Sequence, residues 1–384
     1  MTRSSESDVP LVIAGAGIGG LTAALALAGI GIQTAVLEQA EHIAEIGAGI
    51  QLSPNASRIL HRLGLGPRLA AAVRPEAISI RRADGAPLAR IPLGAAAEAR
   101  YGAPYLVMHR GELQTALLGA VHETGIAPRL GIRVEDFAEE PRGLAVRTAD
   151  GREFRARALV GADGVRSRLR LRLGGRPPRF TGRIAWRATI AGAASECVTG
   201  LWLGARAHLV HYPLSGNRIN LVAVTEGPDP GATWSAPGEP IALKRRFAAW
   251  AREARDLVAA AETWRIWPLY DGAPAAGAGR VTLLGDAAHP MLPFLAQGGA
   301  MAIEDAAVLA AMLARTSDVA AAFRRYEAAR GPRTARVLKA ARRNARVFHL
   351  SGLPALARDM ALRLAGERML AGYDWLYGWR PPGE

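Results

Sequence analysis

The feature that most constrains the fold is a strand–turn–helix–strand unit near the N-terminus. Pro10–Ala14 is a short apolar run of the kind that a buried parallel strand requires. It leads directly into the glycine-rich segment Gly15–Gly20 and an Ala- and Leu-rich helix, Leu21–Ala28. A second strand, Thr34–Leu37, ends at Glu38. Such a βαβ unit of about thirty residues is typical of a dinucleotide-binding fold.

The glycines of this unit follow the spacing Gly15-x-Gly17-x-x-Gly20. The first permits a tight turn, the second lets backbone approach a pyrophosphate, and the third allows close helix–strand packing. The helix N-terminus then faces the anion, and Glu38 is placed to accept hydrogen bonds from an adenosine ribose. An acid at this position suits an unphosphorylated ribose, so the unit indicates FAD or NAD without distinguishing them.

The composition argues against a nucleic-acid-binding protein. The 384 residues, half of them hydrophobic, suffice for two domains with a large core. The net charge of +14 comes almost entirely from arginines spread along the chain, with lysine only at Lys244 and Lys339. No nucleic-acid-binding motif accompanies them. Such a basic surface is better suited to attracting an anionic small substrate or a pyridine nucleotide.

The sequence also predicts a cytoplasmic protein without membrane contact. A single cysteine, Cys197, excludes an internal disulfide and fits a reducing compartment. The polar N-terminus lacks the apolar stretch of a signal peptide, and no long apolar run predicts a membrane-spanning helix.

Two further motifs place a carboxylate directly after an apolar strand. The segment Leu159–Ser167 delivers Asp163 and two glycines into a turn beside Arg166. The segment Leu283–Asp305 begins with a strand that ends at Asp286 and continues through a glycine turn into a helix. A carboxylate there can hold sugar hydroxyls, and N–H groups at a helix start can stabilise negative charge. Each could be an ordinary turn, but two of them beside a dinucleotide fold favour a cofactor site.

The middle of the chain differs in character and predicts a second domain. Strands are expected at Ile184–Ile190, His208–Pro213 and Ile219–Val224, with a helix near Leu243–Ala260. Six of the eight tryptophans lie in this region, Trp234 among them. Residues 319–370 are rich in Ala and Arg and predict helices.

Together, the motifs resemble those of a known enzyme family. GAGIGG (15–20), ALVGADGVRSRLR (158–170) and LLGDAAHPMLPFLAQGGAMAIEDA (283–306) are similar to the fingerprints of class A, single-component flavoprotein aromatic hydroxylases, the p-hydroxybenzoate hydroxylase fold group. The resemblance covers nearly the whole chain. Within the group it is greatest to salicylate 1-hydroxylase, 3-hydroxybenzoate 6-hydroxylase and 6-hydroxynicotinate 3-monooxygenase.

This resemblance implies FAD as the cofactor and no metal. The residues implied to bind it are Gly15, Gly17, Gly20 and Glu38 for the ADP half, Arg110 and Asp286 for the flavin and the ribityl phosphate, Gly298 and Gly299 for the N1–C2=O edge of the isoalloxazine, and Asp163 for FAD and NAD(P)H. The family has no second Rossmann domain for NADH or NADPH, and this sequence has no second GxGxxG segment.

His208 and Tyr212 are the candidate catalytic residues, and both are expected to contact the substrate. They share one face of a predicted strand, whereas His211 points the other way. A histidine with a pKa near neutrality can take a phenolic proton and so activate the ring. The alternative is a core or surface histidine without a catalytic role.

Two further residues are candidates for the substrate pocket. Gln51 lies in the segment GAGIQLSPNA, although a polar loop residue is its simpler interpretation. Phe294 stands where the hydroxynicotinate enzymes carry a histidine, and it predicts a more apolar pocket wall. His289 is expected to order its loop rather than to act as the base.

The predicted fold is therefore α/β: an FAD-binding Rossmann-like domain of the GR2/PHBH type, an inserted mixed β-sheet substrate domain and C-terminal helices. The FAD-binding domain is predicted over 1–75, 108–176 and 271–315, the substrate domain over 76–107 and 177–270, and the helical region over 316–384. The C-terminal helices offer a surface for a homodimer contact.

The resemblance implies a monooxygenase in which NADH or NADPH reduces FAD. Dioxygen then forms a flavin C4a-hydroperoxide that hydroxylates a small phenolic acid of the salicylate or 3-hydroxybenzoate type. The substrate, the position of hydroxylation, any decarboxylation and the NADH or NADPH preference stay open. Two alternatives also stay open, a flavin-dependent epoxidase or natural-product oxygenase and a NAD-binding reductase or sensor. The motifs around Asp163 and Asp286 argue against the reductase or sensor.

Overall fold

The computed structural model describes residues 10–43, 48–192, 194–229, 231 and 235–382. The polar N-terminus and Trp234 of the sequence analysis lie outside this described part. In chain order its strands are β1 (Leu11–Ala14), β2 (Thr34–Leu37), β3 (Gly49–Leu52), β4 (Ala77–Arg82), β5 (Pro87–Pro92), β6 (Leu106–His109), β7 (Val134–Glu140), β8 (Gly143–Thr148), β9 (Glu153–Ala156), β10 (Ala158–Gly161), β11 (Arg179–Ala191), β12 (Val198–Gly204), β13 (Ala207–Leu214), β14 (Arg218–Glu226), β15 (Ala236–Gly238), β16 (Trp264–Asp271) and β17 (Val281–Leu283).

The α-helices of the same residues are α1 (Ile18–Ala28), α2 (Pro54–Arg62), α3 (Gly94–Tyr101), α4 (Arg110–Glu123), α5 (Arg168–Arg172), α6 (Pro240–Arg246), α7 (Arg252–Ala260), α8 (Gly298–Leu313), α9 (Val319–Val347), α10 (Gly352–Ala365) and α11 (Asp374–Tyr377). Short 3-10 turns occur at Pro67–Leu69, Gly285–Ala287, Gly366–Met369 and Ala371–Tyr373. Within the described ranges, none of the helices combines the length and apolar character needed to cross a membrane.

A four-stranded parallel sheet forms the core around the N-terminal unit, in the order β17-β10-β1-β2. All residues of β1 and β10 are buried, as expected for strands covered on both faces. Helix α1 packs beside this sheet and against α8. The close approach requires Gly19, because a Cβ there would lie 2.6 Å from the Cδ1 atom of Leu284.

A mixed eight-stranded sheet supplies the other half of the site, in the order β15-β16-β11-β14-β13-β12-β4-β5. Two separate chain segments build it, because β4 and β5 come from residues 77–92 and the remaining strands from residues 179–271. Neighbouring strands are antiparallel except for β12 and β4, which run parallel. Smaller antiparallel sheets pair β3 with β6 and join β7, β8 and β9.

The helix predicted over Leu243–Ala260 is two helices, α6 and α7, separated by a turn. In that turn the N–H of Ala251 donates a hydrogen bond to the carbonyl of Ala83 at 2.7 Å, instead of to a helical partner. The Trp250 ring packs against Phe247 at 4.3 Å between centroids. The bond to Ala83 is a tertiary contact that outweighs the local helical propensity of the segment.

A buried ionic network joins α8 to α9. Arg330 donates to Asp305 Oδ1 at 2.6 Å and to Glu304 Oε2 at 2.7 Å. Arg333 donates to Glu304 Oε1 at 2.8 Å. Two carboxylates therefore face two guanidinium groups in a region where Glu304 and Asp305 have no solvent exposure. Such burial is tolerated because the charges balance and the oxygens are hydrogen-bonded.

Asp305 also fixes the turn that follows β17. Its Oδ2 atom accepts the N–H of Gly285 at 2.8 Å and lies 2.6 Å from Nε2 of His289. Burial alone would raise the pKa of Asp305, but its electrostatic interactions with His289 and Arg330 hold it at about 2. His289 thus orders the loop that follows Asp286.

Asp305→Asn should destabilise the protein by about 3 kcal/mol, because it leaves a buried guanidinium without its countercharge. The folded-state pKa of about 2 lies below the usual 3.8. The stabilisation is therefore complete above pH 4 and is lost as the pH falls towards 2. Urea unfolding at pH 7 and between pH 5 and 2 measures both effects. The control is Asp256→Asn, which removes the exposed Arg252–Asp256 pair and should change the unfolding free energy by less than about 1 kcal/mol. Equal losses in the two variants would contradict the proposed importance of the network.

Candidate active site

Two adjoining cavities lie between the parallel sheet and the eight-stranded sheet. The larger has a volume of about 810 Å³ and the smaller a volume of about 330 Å³. The residues that line both are Gly17, Arg110, Ala162, Gly164, Val165, Tyr270 and Asp286. The two cavities therefore form one continuous groove.

The outer end of the groove is built from the glycine-rich turn after β1. Gly15 has a φ of +111°, and a Cβ there would lie 2.4 Å from the carbonyl oxygen of Ala162. A Cβ on Gly20 would lie 1.9 Å from the carbonyl oxygen of Gly15, whereas Gly17 has no atom within 4 Å of that position. The turn is thus closed at two glycines and open at the middle one. A ligand can approach the start of α1, which has no side-chain cap.

Glu38 follows β2 and lines the larger cavity beside this turn. Its Oε2 atom accepts the N–H of Ala16 at 2.7 Å, and its Oε1 atom accepts the N–H of Ala40 at 2.9 Å. These bonds hold the carboxylate in place at the cavity wall. Each oxygen keeps a further lone pair that can accept a hydroxyl hydrogen bond.

Asp163 lies after β10 on the opposite wall of the larger cavity. Its Oδ2 atom accepts the N–H of Arg168 at 2.9 Å at the start of α5. Its Oδ1 atom is buried and has no hydrogen-bond partner among the described residues. Burial raises the pKa of this carboxyl. An unpartnered buried oxygen in a cavity wall is a position where a bound ligand would supply the missing donor.

Charged side chains surround the junction of the two cavities. Arg110 is the first residue of α4, and Asp286 lies in the turn after β17. Burial raises the pKa of Asp286, while the charges of His289, Arg110 and Arg187 oppose that rise. The junction thus places the guanidinium groups of Arg110 and Arg187 near the carboxyl group of Asp286, which is readily protonated because its pKa is raised.

The N-terminus of α8 faces the smaller cavity through Gly298 and Gly299. No side chain caps this helix of 16 residues. Gly299 permits a close approach, because a Cβ there would lie 2.9 Å from Cδ1 of Ile50. Free N–H groups at a helix start, together with the helix dipole, favour negative charge at this wall.

His208 and Tyr212 both line the smaller cavity from β13, whereas His211 does not. The predicted alternation along the strand is therefore seen at this wall. The ring of His211 instead lies against β12, where a Cβ on Gly200 would be 1.9 Å from its Nε2 atom. Tyr212 approaches Gly49 closely, since a Cβ there would lie 2.5 Å from the phenol oxygen. Burial raises the pKa of Tyr212, so its hydroxyl remains a hydrogen-bond donor.

The other two substrate candidates occupy different places. Gln51 lines the smaller cavity and accepts a hydrogen bond from the hydroxyl of Tyr105 at 2.7 Å. Phe294 is not among the residues that line the cavity. It is buried behind His208, with 5.0 Å between the ring centroids. Its apolar ring shapes the surroundings of the histidine rather than the cavity wall.

Arg187, on β11, is a residue that the sequence analysis missed. It lines the smaller cavity and lies over the ring of Trp267, 5.2 Å from its centroid. Its Nε atom is buried without a hydrogen-bond partner among the described residues. Burial, and then the charge of Arg110, lowers its pKa to about 10. A single arginine within the apolar strand sequence IAWRATI is the signal that could have identified it.

The groove fits FAD, a long dinucleotide with an anionic pyrophosphate in its middle and a planar ring system at each end. The open turn at Gly17 and the uncapped start of α1 suit a pyrophosphate, and Glu38 suits a ribose. The unpartnered oxygen of Asp163 suits a hydrogen-bond donor on the ligand. The glycines at the start of α8 leave room for backbone N–H groups to meet a ring edge. Among the described residues, no cluster of metal-ligating side chains is found.

Comparison with known proteins agrees with this geometry. A family model for an FAD binding domain matches residues 8–341. The chain is 42% identical to 3-amino-4-hydroxybenzoate 2-monooxygenase PtnB3 of Streptomyces platensis, with 98% of each chain covered. It is 36% identical to 3-hydroxybenzoate 6-hydroxylase of Polaromonas naphthalenivorans strain CJ2, covering 98% of this chain and 97% of the relative. The crystal structure of Klebsiella pneumoniae HpxO with FAD and uric acid is similar, with a TM-score of 0.86, 29% identity and 97% of each chain covered.

These similarities confirm the predicted fold class and the family inferred from the three motifs. FAD is the cofactor, and the enzyme class is that of the named relatives. The chain belongs to the FAD-dependent aromatic monooxygenases.

Proposed function

We propose that this enzyme hydroxylates a small phenolic acid of the hydroxybenzoate type, consuming NADH or NADPH and dioxygen. The observation that carries the proposal is Arg187 in the wall of the smaller cavity, whose buried Nε atom has no partner among the described residues. It lies on the same sheet as His208 and Tyr212, the candidate residues for a phenol, with β14 between their strands. The names of the two aligned hydroxylases describe substrates that carry both a carboxylate and a ring hydroxyl. A cavity with a cation and two phenol-binding groups matches that pair of functions.

Arg187 is suited to bind the carboxylate. The Nε atom of its guanidinium is buried without a hydrogen-bond partner among the described residues, so an acceptor on a ligand would satisfy it. Burial and the charge of Arg110 lower the pKa of Arg187 to about 10, although Tyr212 and Asp286 oppose this shift. A benzoate carboxylate would complete a charge-assisted, bidentate pair with the planar fork of the arginine. Its contact with Trp267 keeps that fork in a fixed orientation.

His208 and Tyr212 are suited to bind the ring hydroxyl. The pKa near neutrality expected for His208 is not found, because burial and the electrostatic influence of His349 and Arg183 keep it well below its usual value. The imidazole is therefore neutral and has a lone pair free to accept a proton. Withdrawing the phenolic proton raises the electron density of the ring and so favours hydroxylation. The Tyr212 hydroxyl can donate a hydrogen bond to the resulting phenolate.

When bound in the groove, FAD supplies the electrons taken from NAD(P)H and the site of dioxygen activation. The protein contributes charge and position around it. The start of α8 at Gly298 and Gly299 stabilises negative charge on a ring edge. Arg110 adds a positive charge, and Asp286 can accept or donate a hydrogen bond according to its protonation.

The purified protein should be yellow, and a phenolic acid should accelerate its oxidation of NADH or NADPH. A panel of compounds tests the carboxylate and the ring hydroxyl separately. Salicylate, 3-hydroxybenzoate and 3-amino-4-hydroxybenzoate carry both groups, phenol lacks the carboxylate, and benzoate lacks the hydroxyl. Acceleration together with a hydroxylated product is expected only when both groups are present. An equal response to phenol would contradict the proposed requirement for a carboxylate on the substrate. No response to any compound of the panel would favour the epoxidase or natural-product alternative.

Arg187→Gln should raise KM for the responding acid about 10- to 100-fold, the loss of a charge-assisted hydrogen bond. The carboxamide of the same acid should be affected less, because it brings no charge to the site. Arg81→Gln is the matched control, since Arg81 also lies over a tryptophan of this sheet but outside the groove. The flavin content of each variant is measured by absorbance. A loss of FAD at unchanged KM would assign Arg187 to the cofactor instead.

We further propose that the enzyme is a homodimer formed through α10. Four of the eight exposed large apolar side chains of the described residues lie on this helix: Leu353, Leu356, Met360 and Leu364. Their spacing places them along one side of the helix, and a two-fold axis would bury the same surface of both copies. The double substitution Leu353→Gln and Leu364→Gln should convert a dimer into a monomer, as measured by light scattering on a sizing column. The exposed Ile241→Gln is the control, and a monomeric wild-type enzyme would contradict the proposal.

A further inference from the structure

The imidazole of His208 is hydrogen-bonded to a second buried histidine. Nδ1 of His208 lies 2.9 Å from Nε2 of His349, 141 residues further along the chain. The two residues are only 4% and 7% exposed. A bond between two imidazoles requires one nitrogen to donate and the other to accept. Nε2 of His208 makes no hydrogen bond to the described residues, and this side chain lines the smaller cavity.

The second histidine leads towards the surface. Nδ1 of His349 is buried without a hydrogen-bond partner among the described residues. It lies 3.8 Å from Oε1 of Glu226, the last residue of β14, whose side chain is 30% exposed. A small rotation of the carboxylate would bring the two atoms within hydrogen-bond distance. These contacts connect the cavity to the solvent in sequence, through His208, His349 and Glu226.

Apolar rings surround His208 and leave its Nδ1 atom no other polar neighbour among the described residues. The rings of Phe294 and Phe348 lie 5.0 and 5.5 Å from the ring of His208. They cover it with apolar atoms, so the direct polar neighbour of its Nδ1 atom is His349. Within the described part of the chain, His349 is the group to which Nδ1 of His208 can pass a proton.

The charges around His208 and His349 disfavour protonation of either imidazole. Arg183 and Arg246 lie near His349, and Glu226 is held on its other side by a hydrogen bond from Arg206 at 2.8 Å. Burial and then Arg183 lower the pKa of His349 to about 4, although Glu226 opposes this. Both imidazoles are therefore neutral near pH 7, and neither retains an added proton.

We propose that His208 and His349 relay the substrate's phenolic proton from the smaller cavity to Glu226 and the solvent. The phenol O–H bond breaks as an N–H bond forms at Nε2 of His208. The Nδ1 proton of His208 moves to Nε2 of His349, and the Nδ1 proton of His349 leaves through Glu226. The charge of the phenolate is then balanced by the arginine-rich cavity. The reverse passage returns a proton to the product hydroxyl and restores both tautomers.

This relay rests on the proposed function, because its proton comes from a phenolic substrate. His349 does not contact that substrate and acts only through His208. A structural role alone would make His349 important for folding or binding. A relay instead predicts that the rate of proton transfer depends on the presence of a base at position 349.

The first experiment mixes weakly buffered holoenzyme, in a stopped-flow instrument, with 3-hydroxybenzoate or salicylate and a pH-indicator dye. Flavin fluorescence reports binding and the dye reports proton release. His349→Gln keeps a similar size and a neutral amide, and it should slow release about 100-fold with unchanged binding affinity. His211→Gln is the matched control, since His211 is a half-buried histidine on the same strand as His208 but outside the cavity. It should release protons at the wild-type rate.

The second experiment uses His349→Ala with added imidazole and methylimidazoles. Proton release should recover with the concentration of the added base and should increase with its basicity. A space-filling effect would give recovery that is independent of basicity. The relay is overturned if His349→Gln releases protons at the wild-type rate, or if substrate binding to the wild-type enzyme releases no proton. It is also overturned if the recovery of proton release is independent of the basicity of the added imidazole. If no phenolic acid changes the fluorescence of the wild-type holoenzyme, the proposed function fails together with the relay.

Discussion

The structure of the site depends on the buried charges between α8 and α9. Glu304 and Asp305 follow the start of α8 by less than two helical turns, so their bonds to Arg330 and Arg333 fix that start. Glu304 also accepts a hydrogen bond from the side chain of Asn55 at 2.7 Å, at the beginning of α2. One set of charges thus holds three pieces of the groove: the turn after β17, the glycines at the start of α8, and the segment that follows Gln51. A purely apolar contact would leave the rotation of α8 less constrained, because hydrophobic packing is not directional.

The part of the site that could be predicted from sequence is local in the chain. Gly15, Gly17 and Gly20 act within one turn, and the steric reasons for them appear directly in the spacing. Asp163 and Asp286 could be placed because both follow buried parallel strands, whose carboxyl ends meet at one edge of a sheet. The alternation that brings His208 and Tyr212 to one wall is likewise a property of a single strand.

What could not be predicted depends on non-local pairing. Arg187 lies on β11, where its isolated position in an apolar strand marks it as unusual, but the strand alone does not show that this face covers a cavity. The contact of His349 with His208 joins residues 141 positions apart through the packing of the C-terminal segment on the eight-stranded sheet. Phe294 was expected at the cavity wall and instead lies behind the histidine. The same tertiary contacts split the expected helix at residues 243–260 into α6 and α7.

The excess of positive charge has distinct uses in different places. Arg330 and Arg333 are neutralised by carboxylates and hold the fold. Arg187 and Arg110 lack such partners in the described part of the chain and give the groove a positive potential, which attracts anionic ligands. Arg183 and Arg246 keep His349 neutral. Since His349 follows α9 by only two residues, the helix anchored by Arg330 and Arg333 also positions the second histidine. The ionic network that orients the start of α8 therefore also anchors the helix that leads to His349, the second group of the proposed proton relay.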